Sequence, residues 1–157
     1  HEQEERDQQL AQVLDPILRK ITANDSSLRI VSLGSKQIRD KHVIKLAEAL
    51  RDNTVVLALY LSFNHITDIG ASALADMLHM NTTITMINLS SNEISADLEE
   101  GINWLVETNK NSSSPEDARQ RKSNHKWPAS YQGVKATADP AVRKGNSRDG
   151  GSRSRSE

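Results

Sequence analysis

The chain is 157 residues long, enough for one modest domain, and its 36 % hydrophobic and 3 % aromatic content is low for a chain folded throughout. It has no cysteine, which excludes disulfides, thiol catalysis and cysteine-ligated zinc and favours a cytosolic or nuclear home. The net charge of −1 conceals a division: residues 1–110 carry ten Lys/Arg against sixteen Asp/Glu, residues 111–157 ten against five, so a basic tail follows an acidic body.

No apolar run approaches the roughly 18–20 residues of a membrane span, so no membrane is expected among the partners. No signal peptide is visible, and the start at His1 rather than Met is expected of a fragment or a processed product. The glycosylation sequons at Asn24, Asn81, Asn88 and Asn111 are expected to be accidental in a cytosolic protein.

The first element in chain order is a helix over residues 7–22. Leu10, Val13, Leu14, Ile17, Leu18 and Ile21 fall on one helical stripe. Pro16 is expected to kink it, and the acidic run Glu2, Glu4, Glu5 and Asp7 suits a solvated helix start. Residues 1–24 are read as an N-terminal cap.

A repeat of 28 residues follows. Leu28, Val56 and Ile84 fall in register, as do Val31, Leu59 and Ile87, then Leu33, Leu61 and Leu89, then Ile38, Ile66 and Ile94. Leu46, Leu74 and Ile102 match, and so do Leu50, Leu78 and Val106. Asp25, Asn53, Asn81 and Asn109 punctuate the units at the same spacing.

Each unit carries two periodicities. Leu59 and Leu61 alternate as in a strand, whereas Ile69, Ala73, Leu74, Met77 and Leu78 are spaced as in a helix. Asn64 and Asn92 lie at the bend between them, where an amide can bond backbone groups. Asp40 and Asp68 are placed to cap the helix that each begins. Asn53, Asn81 and Asn109 stand at the helix ends, a position that suits the left-handed conformation. One such unit cannot bury its apolar stripe alone, whereas stacked neighbours can.

The segment NTTITMINLSSNEI, Asn81 to Ile94, resembles the ribonuclease-inhibitor type of leucine-rich repeat. That class is shared with Ran GTPase-activating proteins, tropomodulins, NOD-like receptors and several ciliary proteins. The resemblance spans residues 25–109 and implies an α/β fold. The expected architecture is a short leucine-rich-repeat solenoid with parallel strands on the concave face and helices on the convex face. An N-terminal capping helix and an irregular C-terminal tail flank three repeats over residues 25–110. The outer units depart from the pattern: Lys36 replaces the turn Asn, Leu98 stands where Gly70 did, and Trp104 enlarges the last helix.

In this class the strand side is the usual recognition face. Strand residues between the core positions point away from the core: Ile30 and Ser32, Ala58 and Tyr60, Met86 and Asn88. Tyr60, Phe63 and Met86 are expected to form an apolar cluster there, with inward packing of Phe63 beneath the turn as the alternative.

Residues 111–157 have the composition of a low-complexity tail, either disordered or docked on a partner. Trp127 and Tyr131, with Arg119, Arg121, Lys122, Lys126 and Lys135 around them, are the candidate anchors. Ten basic residues diluted by five acidic ones make a poor nucleic-acid arm.

Nothing in the sequence supports an enzyme. His42, His65 and His79 do not have ligand spacing, Gly34 and Gly70 are isolated, and no Ser sits in a nucleophile elbow. No metal and no cofactor are expected.

The leading expectation is a non-catalytic protein-binding scaffold or adaptor, a cytoplasmic subunit of a hetero-complex in a ciliary or cytoskeletal assembly. Other proteins would bind through the concave face and the tail. Two alternatives come from the resemblance. A small-GTPase regulator like Ran GTPase-activating proteins would carry many more repeats. A tropomodulin-like actin-binding protein would carry actin-binding segments outside the repeats, which are not recognisable here.

Overall fold

The computed structural model describes residues 1–127. The chain opens with helix α1 (Glu2–Thr22), and three strand–helix pairs follow. They are β1 (Ile30–Ser32) with α2 (Asp40–Leu50), β2 (Ala58–Tyr60) with α3 (Asp68–Met80), and β3 (Met86–Asn88) with α4 (Ala96–Asn111). Helix α5 (Pro115–Asn124) closes the described part. The fold is mixed α/β, with a small parallel sheet in the order β1-β2-β3.

The 28-residue spacing is written into the sheet register. Ile30 pairs with Ala58 and Ala58 with Met86; Val31, Leu59 and Ile87 form the next row, and Ser32, Tyr60 and Asn88 the third. Alternation then sends the middle residue of each strand inward. Val31 and Leu59 are buried, and with Leu33, Leu61, Ile38, Ile66, Leu46, Leu74 and Ile102 they fill the space between sheet and helices. Parallel strands joined through helices bury such rows continuously.

The polar punctuation has a different use from the expected one. Asp40 and Asp68 do not cap the helices that they begin. The caps are Arg39 and Thr67, and the Thr67 hydroxyl accepts from the Ile69 N–H. Asp40 instead reaches the next unit, where one oxygen accepts from the N–H groups of Thr67 (2.8 Å) and Gly70 (3.0 Å). Its other oxygen accepts from the Thr67 hydroxyl. A Cβ on Gly70 would lie 2.6 Å from the Asp40 carboxylate, so the glycine admits this bond. Asp68 makes the corresponding bond with the Ser95 N–H, but the Leu98 N–H donates to the Ser95 hydroxyl instead. A side chain therefore fits where Gly70 stood.

The helix-end asparagines are not left-handed where expected. Asn81 is extended, at φ −79° and ψ 125°. Its amide donates to the carbonyls of Leu50 and Asn53 in the preceding unit and accepts from Thr83 and Ile84 in its own. Asn53 does the same between the Ile21 carbonyl and the N–H groups of Val55 and Val56. At the strand ends, Asn64 accepts from Lys36 and Ile38 and donates to the Leu33, Leu61 and Ser62 carbonyls. Each bend has a left-handed residue just before the asparagine position, Ser35, Phe63 and Ser91 with φ of 56–59°, and the first bend has another at Gln37. Buried backbone groups at the bends thus find partners that no strand or helix supplies.

Helix α1 runs through the exposed Pro16 and begins earlier than the sequence pattern, with Glu2, Glu4 and Glu5 in its first turn. It lays Leu10, Leu14 and Ile21 against the first unit. At its start Asp7 lies 2.8 Å from Arg39 and 2.8 Å from Lys41. The Lys41 hydrogen bond, then that of Gln3, brings the Asp7 carboxyl down to about 2.

Candidate protein-binding surface

The strand surface is built from the outward residues of the register. One row is Ile30, Ala58 and Met86; the next is Ser32, Tyr60 and Asn88. Ile30 is 55 % exposed and Met86 51 %, while Ala58 between them is buried. Ser32 and Asn88 are exposed and Tyr60 is half-buried. The Tyr60 hydroxyl donates to the Met86 sulfur at 2.9 Å, so these two side chains meet across the strands. None of these six residues carries a charge.

Phe63 does not fold inward. It is 64 % exposed at φ 59°, and its N–H is engaged by the Ser90 carbonyl. An aromatic side chain held in the left-handed region projects into solvent at the end of the sheet. Leu57, 40 % exposed immediately before β2, is a further exposed apolar side chain, although its place ahead of the alternating segment hides it from a sequence reading. The structure thus brings Tyr60 and Met86 together, with Ile30 in the same row two strands from Met86, and sets Phe63 at the end of the sheet.

The tail candidates separate. Tyr131 lies outside the described residues. Trp127 is buried, with its ring 5.6 Å from Trp104, 4.6 Å from His125 and 5.3 Å from His79. His125 in turn stacks on Trp104 at 3.8 Å. Helix α5 therefore belongs to the folded body, although the sequence reading places residue 111 at the start of an irregular tail.

Lys122 completes this attachment. Its side chain is 1 % exposed, and its ammonium donates to the carbonyls of Leu78 and Asn81 at the end of α3. A cation at a helix C-terminus meets the carbonyl end of the dipole. Burial, and then the repulsion of Arg119, brings the amine down to about 7. The sequence shows Lys122 as one basic residue among several, because its partners lie more than forty positions away.

No cluster of three or more potential metal ligands occurs among the described residues. No helix among them is long and apolar enough to cross a membrane.

Stacked strand–helix units with leucine-rich rows define a leucine-rich-repeat-like α/β domain. A family model, the TMOD/LMOD leucine-rich domain, matches residues 11–125, and the chain belongs to that family. Human leiomodin-2 is 40 % identical over 83 residues, which is 52 % of this chain and 15 % of the relative. Human tropomodulin-4 is 34 % identical over 84 residues, 53 % of this chain and 24 % of the relative. The chain thus spans less than a quarter of the length of these relatives.

Among solved structures, "Leiomodin-1 Actin-Binding Site 2 (ABS2)" superposes with a TM-score of 0.55 at 32 % identity, covering 59 % of this chain and 54 % of that one. The tropomodulin C-terminal domain of Caenorhabditis elegans gives 0.55 at 14 % identity over 87 % of this chain and 95 % of that one, a likeness of fold alone.

Proposed function

We propose that this chain is an actin-binding leucine-rich domain and that it works by binding, without catalysis. The observation that carries the reading is the family match over residues 11–125, joined to a solved relative whose name is an actin-binding site. These relatives favour the tropomodulin-like alternative over a general adaptor in a ciliary assembly, and they favour a cytoskeletal setting in the cytoplasm.

Within this reading the three units of residues 25–110 form a solenoid of the ribonuclease-inhibitor type with the strands on its concave face. Helix α1, within residues 1–24, is its N-terminal cap. Ile30, Ser32, Tyr60, Phe63, Met86 and Asn88 form the contact surface, and its lack of charge suits an apolar core of an interface. A second contact, in a hetero-complex, is assigned to the tail beyond residue 127, Tyr131 included.

Co-sedimentation of the full chain with actin filaments, beside binding to monomeric actin, tests the reading. Binding at micromolar concentration is expected. Tyr60→Ala with Met86→Ala is expected to weaken it about tenfold, the loss of two apolar anchors at about 0.5–1 kcal/mol each, with the melting temperature little changed. No association with either form of actin would overturn the proposal. Unchanged binding by the double variant would remove the strand surface from it.

A further inference from the structure

The last unit ends differently in its two layers. In the helix layer, positions that are apolar and buried in the inner units turn polar. Val43 and Ala71 are 0 % exposed, and the position 28 residues on is Glu99; Ala47 and Ala75 are succeeded likewise by Asn103. At these positions α4 is polar.

The sheet layer is not finished. Among the described residues β3 has no neighbour on its outer side. In the inner pair, the Leu61 N–H and the Leu57 carbonyl, which flank β2, point towards the β3 side. By that register the N–H groups of Ile87, Leu89 and Ser91 and the carbonyls of Thr85 and Ile87 point outward from β3. The segment from Asn81 to Asn92 contains no charge and no proline, the devices that commonly protect an edge strand. Ile87 and Ile94 are only partly buried, whereas their inner counterparts Leu59 and Ile66 are 0 % exposed.

A buried acceptor points to the same vacancy in the pattern. Asn53 and Asn81 each receive two N–H groups from the segment that leads into the next strand. Asn109 keeps the donor half of this arrangement, to the Asn81 and Ile84 carbonyls. Its side-chain oxygen is buried without a hydrogen-bond partner, in a residue 8 % exposed, because α4 continues past it. The rim is uniformly acidic: from Asn81 to Asn109 there are Glu93, Asp97, Glu99, Glu100 and Glu107 and no Lys or Arg.

We infer that the outer edge of β3 receives a basic, extended segment of a partner protein as a fourth strand. The ladder groups supply the pairing, Ile87 and Ile94 supply the apolar floor, and the glutamates of α4 select Lys and Arg. The inference stands independently of actin binding.

The test is a titration of the isotopically labelled full chain with a synthetic peptide of about eight residues, an ordinary strand length, alternating Lys and Val. Saturable shifts and slowed exchange at the amides of Ile87, Leu89 and Ser91 are expected. Glu99→Lys with Glu100→Lys is expected to weaken binding about tenfold, two charge contacts reversed. A Glu/Val peptide should bind at least as weakly. Equal binding by a peptide N-methylated on alternate residues would overturn the inference, since it cannot form the ladder. So would amides already protected in the free chain and exposed by deleting residues 128–157, which would make the tail the occupant.

Discussion

The two ends of the stack are closed by different means. At the first unit, α1 supplies an apolar stripe, Leu10, Leu14 and Ile21, and holds its start by the exposed pairs of Asp7 with Arg39 and Lys41. At the last, α5 and the residues after it contribute few apolar side chains, Ala118 and then Trp127, and a cation driven into the end of α3. Closure by area tolerates small changes, since many contacts share the load. Closure by one buried charge does not, since its cost and its benefit fall on a single side chain.

The largest expected effect is at Lys122. Lys122→Ala should destabilise the domain by about 3 kcal/mol, from the lost stem and two unpaired carbonyls. Lys122→Met keeps the stem and should lose about 1 kcal/mol. Urea unfolding followed by tryptophan emission checks both, because Trp104 and Trp127 lie in the α5 contact. No loss in Lys122→Met would show that the ammonium contributes nothing, and equal losses would show that the stem contributes nothing beyond it.

The pH dependence sharpens the same contrast. The folded Lys122 amine, at about 7, lies below its ordinary 10.5, so between these values the unfolded chain binds more protons. Stability should therefore rise as pH increases from 7 towards 10.5, and it should lose this increment as pH falls back through 7. Buried His42, also lowered by burial, adds a loss of the same sign on acidification. Lys122→Met should abolish the alkaline rise while leaving the His42 contribution, as read from midpoints across pH.

The smallest effect is expected at the other end. Asp7→Asn removes two exposed ion pairs, and a small fall in melting temperature should vanish in high salt. With its folded carboxyl near 2 against 3.8, Asp7 contributes above pH 4 and loses that contribution as pH drops towards 2. A salt-independent loss would mean that Asp7 does more than attract charge.

Most of the architecture was legible because it is local and repeated. A period of two in Leu59 and Leu61 and a helical period after Asp68 suffice to name the elements, and the spacing of 28 dictates which residues pair. The outward rows of the candidate surface follow from the same alternation. The binding site was less legible at its margins. Phe63 projects because of a left-handed backbone that a side-chain pattern does not encode, and Leu57 lies outside the alternating segment.

The sequence by itself determined the strand register, the inward rows and the uncharged strand surface, because each depends on residues close together in the chain. Only the tertiary structure decided where the polar side chains send their bonds. Asp40 serves the neighbouring unit rather than its own helix, Asn53 reaches back to Ile21, and Lys122 ends on Leu78. It also decided that Trp127 lies within the body and that β3 is an edge among the described residues. These are consequences of adjacency between distant segments, where a buried polar atom takes whichever partner the packing brings within reach.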